Sequence, residues 1–152
     1  MTEIQRDLKS ILKSRIGKGK IIILIGPRQV GKTTLFKSMI SEAGFLDTAQ
    51  YWNCDESDVR SMLTKESSAH FRPLIGKSKF IVIDEAQRVK NIGLILKILY
   101  ENFQDVQFAV TGSSSLDLSN TLNEPLTGRK FEYNLFPFST NELVHNSSMS
   151  DN

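Results

Sequence analysis

The run Ile21-Ile22-Ile23-Leu24-Ile25 passes without a break into Gly26-Pro27-Arg28-Gln29-Val30-Gly31-Lys32-Thr33. An apolar stretch that is continuous rather than alternating reads as a strand buried on both faces, as strands in a parallel sheet are. The eight residues after it fit G-x-x-x-x-G-K-[ST]. Leu35, Phe36, Met39 and Ile40 then recur at helical spacing, with Gly44 as a stop. Strand, glycine loop and helix in this order commit the start of the chain to a strand–helix alternation.

The alternation continues along the chain. A short strand is expected over 50–54 and a polar helix over 56–65, followed by a second buried strand over 79–83. Ile92 to Phe103 is apolar around much of a helix, so both a sheet and neighbouring elements are expected to pack on it. A strand follows over 106–110, then a Ser-rich turn, a short helix over 116–122 and a more exposed strand over 130–136. In that last strand Phe131, Tyr133 and Leu135 share one face. Strands alternating with helices over the whole length imply an α/β fold, a mainly parallel five-stranded sheet with helices on both faces. Before the first strand, Ile4, Leu8, Ile11 and Leu12 among charged residues suggest an amphipathic helix over about residues 1–16 rather than a signal peptide.

The chemistry implied by the glycine loop is the holding of phosphate. Gly26 and Gly31 let the backbone turn its N–H groups inward, and the first turn of the following helix adds unpaired donors and a positive dipole end. Lys32 is placed to reach the β- and γ-phosphates and the Thr33 hydroxyl to ligate Mg2+, while Thr34 is set to cap or pack. The whole stretch Gly26, Pro27, Arg28, Gln29, Val30, Gly31, Lys32, Thr33 and Thr34 is thus the candidate nucleotide cradle.

A second element supports the first. Phe80-Ile81-Val82-Ile83 ends in Asp84-Glu85, which a parallel sheet would bring to its carboxyl edge beside the loop. There Asp84 can hold the metal and Glu85 can orient and deprotonate the water that attacks the γ-phosphate. No Asn-Lys-x-Asp guanine reader and no Asp-x-x-Gly switch follows a strand, which favours ATP over GTP. A small-molecule kinase would need a lid and an acceptor pocket that the sequence does not display. Asp84-Glu85-Ala86-Gln87 with Thr111-Gly112-Ser113 resembles helicase boxes, but there is no second motor domain.

Composition narrows the partners little. At 152 residues the chain has room for one domain, and 19 Lys and Arg against 17 acids give a net charge of +2. That charge does not support nucleic acid as a partner. The lone Cys54 fits a reducing cytoplasm. No apolar run approaches the roughly 20 residues of a membrane-spanning helix.

Taken together, Gly26 to Thr34, Ile83 to Gln87, Val110 to Ser115, Leu126-Thr127-Gly128-Arg129, and Leu135 to Ser139 with Glu142-Leu143 resemble the bacterial and archaeal predicted ATPases of the AAA+ type. The resemblance spans most of the chain. It implies a P-loop NTPase three-layer sandwich with strand order 5-1-4-3-2, in which the Thr111 strand lies between the loop strand and the Asp84 strand. It implies Walker A and Walker B roles for the loop and the acid pair, and a polar sensor at Thr111 or Ser113. Arg129 would be a phosphate-sensing or finger arginine, acting in cis or across a subunit boundary, and Gln87 would either bridge the acids and the loop or stand as a solvent-facing amide after the strand. Residues 1–145 would be the ATPase domain and 146–152 a disordered polar tail. The C-terminal region usual in the family would be absent, with Phe136-Pro137-Phe138 as its docking place or as ordinary core.

The expected function is Mg2+-dependent ATP hydrolysis, with low turnover in isolation. The alternatives are an ATP-dependent switch with little turnover, and the motor core of a nucleic-acid-linked or defence ATPase. Self-association is a further expectation. Tyr51, Trp52 and Cys54 are expected in the core, and His70 and His145 in surface or packing roles.

Overall fold

The computed structural model describes residues 3–113 and 115–136. Expectations for Pro137, Phe138, Ser139, Glu142, Leu143, His145 and the tail lie outside the described residues. The chain runs α1 (Glu3–Arg15), β1 (Ile21–Ile25), α2 (Lys32–Glu42), β2 (Ala49–Asn53), α3 (Ser57–Met62), α4 (Ser68–Ile75), β3 (Phe80–Asp84), α5 (Ile92–Asn102), β4 (Gln107–Gly112), α6 (Ser115–Asn123) and β5 (Lys130–Asn134). The five strands form one sheet in the order β2-β3-β4-β1-β5, all parallel, which is the expected order read from its other edge.

The sheet's alternation explains its two covers. Ile21, Ile23, Ile25, Ile81, Ile83, Phe108 and Val110 point into one core with Phe71 and Ile75 of α4, Leu96 and Leu99 of α5, and Leu118 and Leu122 of α6. Ile22, Leu24, Phe80, Val82 and Ala109 point the other way, onto Leu12 of α1 and Leu35, Phe36, Met39 and Ile40 of α2. The three central strands are buried on both faces, so they read as unbroken apolar runs. β5 is half-buried, and α1 supplies part of its cover. The Arg15 guanidinium donates from Nε to the Tyr133 hydroxyl at 2.9 Å and lies 4.8 Å from the Phe131 ring centre.

Two sequence expectations need correction. The segment between α3 and β3 contains a further helix, α4, that helical spacing did not reveal. Its eight residues include Pro73, and only Phe71 and Ile75 are buried. Tyr51 is not a core residue. β2 is an edge strand, so Trp52 faces the core while Tyr51, one residue earlier, faces out beneath the Lys37 ammonium at 5.2 Å. Cys54 is buried as expected, and His70 bonds the Met62 carbonyl at 2.8 Å in a packing role.

Candidate functional site

The carboxyl ends of β1, β3 and β4 meet at one edge of the sheet, and the loop after β1 turns over them. Gly26 donates its N–H to the Gly112 carbonyl at 3.0 Å, and Leu135 donates its own to Ile25 at 2.7 Å. A Cβ on Gly26 would fall 2.1 Å from the Leu135 carbonyl oxygen, so the close backbone approach requires glycine. Gly31, at φ 97°, turns the chain into α2 through the left-handed region. The first turn of α2 carries no acid, which leaves its positive dipole end available to an anion.

Lys32 is buried, and its ammonium folds back to donate to the carbonyls of Gly26 at 2.7 Å and Pro27 at 2.9 Å. Glu85 Oε1 stands 3.8 Å away. Burial pushes the Lys32 pKa down from its ordinary value. The Glu85 and Asp84 carboxylates push it back up, Arg28 lowers it further, and burial prevails.

β4 supplies the link between loop and acids. Thr111, fully buried, gives its hydroxyl proton to Asp84 Oδ1 and accepts the Glu85 N–H at 2.9 Å. The Thr33 hydroxyl donates to the other oxygen of Asp84 at 2.8 Å. Asp84 is thereby held between two hydroxyls, one from α2 and one from β4. Glu85 follows in a left-handed conformation, φ 55° and ψ 49°, rare outside glycine. That conformation ends β3 and starts a short 3-10 turn, Ala86–Arg88.

The expected site residues therefore fall into two groups. Lys32, Thr33, Asp84, Glu85, Thr111 and Ser113 come together at the carboxyl edge. Pro27, Arg28, Gln29 and Thr34 are exposed there, and Val30 is half-buried. Thr111 has its one proton engaged by Asp84, while Ser113, just past the end of β4, accepts from the Gln87 amide through its hydroxyl oxygen. Arg129 is not brought to this edge. Its carbonyl accepts the N–H of Ile21 at the start of β1, about 16 Å from the loop at the usual rise along a strand. There it pairs with Glu101 at 3.1 Å and donates to the Pro125 carbonyl at 3.3 Å, at the edge of the sheet opposite the phosphate loop.

Some contacts had no signal in the sequence. Arg28 reaches Asp55 at 2.8 Å, and Arg88 reaches the same carboxylate at 3.4 Å, which ties the loop, the end of β2 and the turn after β3. Two clefts of roughly 370 and 510 Å3 open at the amino edge of the sheet, one lined by Phe45 and Tyr100 and the other by Arg72 and Lys79. No described helix is long and apolar enough to cross a membrane.

Comparison with known proteins agrees with this architecture. A family described as an AAA domain matches residues 18–144. An uncharacterized protein of Mycobacterium bovis and another of Mycobacterium tuberculosis are each 29% identical over 126 residues, 82% of this chain. The chain spans only 27% of the length of those relatives. Among solved structures, C. elegans PCH-2 superposes with a TM-score of 0.64 at 16% identity, covering 99% of this chain and 47% of that one. Drosophila ORC bound to DNA gives 0.63 at 16% identity, covering 93% and 96%. The Thermotoga maritima RuvB Holliday junction branch migration motor gives 0.59 at 23%, covering 99% and 52%. At these identities the structures share the fold.

Proposed function

The chain belongs to the AAA domain family, and from that premise we propose that it binds ATP with Mg2+ and hydrolyses the terminal phosphate. The observation that carries this reading is the convergence of Lys32, Thr33, Asp84 and Glu85 within hydrogen-bond or ion-pair reach at one sheet edge. A hydroxyl and a carboxylate 2.8 Å apart, Thr33 and Asp84, form a hard-oxygen pair that suits Mg2+ completed by phosphate oxygens and water. Bound there, the ion would neutralise charge on the phosphate oxygens.

The protein's own residues divide the remaining work. Lys32 exchanges the Gly26 and Pro27 carbonyls for phosphate oxygens, helped by the loop N–H groups and the α2 dipole. Thr111 keeps Asp84 and Glu85 in register. Glu85 takes the proton of a water whose oxygen attacks the terminal phosphorus, while the bond from that phosphorus to the bridging oxygen breaks and ADP leaves. Ser113 donates to the terminal phosphate.

A second reading is a conformational switch with little turnover. It is favoured by the two restraints on the Glu85 carboxylate, Lys32 at 3.8 Å and Gln87 at 2.7 Å, which hold it away from a water. A nucleic-acid-linked motor is a third, suggested by the DNA named for ORC and the Holliday junction named for RuvB; the net charge of +2 adds nothing to it. Self-association and a cytoplasmic location belong to the same proposal.

Nucleotide titration and phosphate release on wild type, Lys32→Ala and Glu85→Gln test the central reading. Lys32→Ala should lose ATP binding. Glu85→Gln should bind ATP while turnover falls by about a hundredfold or more. A wild type that binds no ATP overturns the proposal, and one that binds ATP without turnover leaves the switch.

A further inference from the structure

Gln87 lies in the turn that leaves Glu85, and its carboxamide is engaged at both ends. Nε2 donates to Glu85 Oε2 at 2.7 Å and to Ser113 Oγ at 2.7 Å. Oε1 accepts the Ser113 N–H at 3.2 Å. An amide has two N–H donors and a carbonyl, so every one of these contacts can be made at once. Gln87 is pressed against the end of β4, where a Cβ on Gly112 would come within 3.2 Å of Oε1. The carbonyl of that same Gly112 receives the N–H of Gly26, so the contact lies one residue from the phosphate loop.

The Glu85 carboxylate therefore has two restraints, Lys32 at 3.8 Å on one oxygen and Gln87 at 2.7 Å on the other. The restraints answer to different phosphates. Lys32 leads into the loop, which any di- or triphosphate would fill. Ser113 accepts from Gln87 through its oxygen, which leaves its own proton, with no acceptor among the described residues, to turn to a terminal phosphate. Because the carboxamide is rigid and holds Ser113 by both hydroxyl and backbone, movement of Ser113 toward a phosphate carries Gln87 with it.

We propose that Gln87 is a positioning residue that releases and aims Glu85 only when a third phosphate engages Ser113. The proposal rests on the ATPase reading. Gln87 thereby distinguishes the triphosphate from the diphosphate through Ser113, without touching the nucleotide itself, and a mere cross-link between the turn and β4 would not do so.

The test is a double-mutant cycle in the full chain with Gln87→Met, which keeps length and removes the amide, and Ser113→Ala. Affinities for ADP and for a non-hydrolysable ATP analogue are measured by fluorescence titration, with phosphate release alongside. ADP affinity should stay within about twofold in all variants, because the diphosphate does not engage the relay. Gln87→Met should strengthen the preference for the triphosphate by about threefold, by removing a bond the third phosphate must break, and this effect should vanish in the Ser113→Ala background. Its kcat should fall about tenfold at nearly unchanged KM.

An equal effect of Gln87→Met in both backgrounds overturns the relay, as does an unchanged preference. A parallel loss of both affinities with a lower melting temperature assigns Gln87 a structural role only, and overturns it too. Should Gln87→Met melt without cooperativity, Gln87→Asn carries the same test with an amide too short to span both partners. Wild type that binds neither nucleotide overturns the ATPase reading and the relay together; wild type that binds both, with an additive cycle, overturns the relay alone.

Discussion

Lys32 shows how one residue can be both costly and useful. Its ammonium is almost wholly out of water, 4% exposed, and two carbonyls and a carboxylate replace the lost solvent. Burial is the largest influence on it and lowers its pKa below the ordinary 10.5. A phosphate prefers the protonated form. ATP affinity should therefore be full at pH values below the pKa of the free chain and should fall as pH rises through it, by about tenfold per unit beyond. Because that pKa lies below 10.5, the decline begins earlier than it would for a solvated lysine. Titrating ATP between pH 7 and 10.5 at constant ionic strength measures it, and an affinity that stays flat to the end of that range contradicts the assignment of Lys32 to the phosphates. The exposed Arg28–Asp55 pair at the same edge, with its side chains 55% and 32% exposed, contributes at most about 1 kcal/mol.

At the scale of elements, the packing of α5 against α6 depends on a missing side chain. A Cβ on Gly93 would meet Pro125 Cγ and the Thr121 carbonyl oxygen, each at 2.8 Å. A backbone oxygen cannot rotate away, so the helix would have to move. Gly93→Ala should lower stability by about 1–3 kcal/mol in urea unfolding, even though alanine is the better helix former. An unchanged midpoint would show that the two helices are looser than they stand here. The elements that sequence made legible are those whose burial is uniform. β1, β3 and β4 are apolar from end to end because helices cover both faces. β2 is harder, since one flank of an edge strand is open and Tyr51 turns outward while Trp52 turns in. α4 was hidden because Pro73 reads as a break and two buried residues make no period. In the site, Gly26 to Thr33 and Asp84-Glu85 were legible because a glycine loop and a strand end carry their chemistry in consecutive residues. The contact of Gln87 with Ser113 joins positions 26 apart, and Arg28 with Asp55 joins positions 27 apart. Those pairings are decided by strand order and register, which spacing within one segment does not encode.

The whole molecule is polar along its strands. All five run in one direction, so every carboxyl end faces the phosphate loop and every amino end faces away. Arg129 sits at the amino edge, tied to Glu101 and within 5.8 Å of the Tyr100 ring centre. A single chain has no short path by which that guanidinium reaches its own loop. At concentrations where sedimentation shows a monomer, Arg129→Ala should therefore keep its turnover within about twofold of wild type, far from the thousandfold or more that a finger arginine contributes in place. Its stability should fall by no more than about 1 kcal/mol, since side chains 37% and 46% exposed form a screened pair. The amino edge can serve a phosphate loop only on another chain, through a head-to-tail contact in which unlike edges meet. Turnover per chain would then rise with concentration in wild type and stay level in Arg129→Ala. A tenfold or larger loss in the monomeric variant would mean that the sheet's polarity does not keep this arginine from its own site.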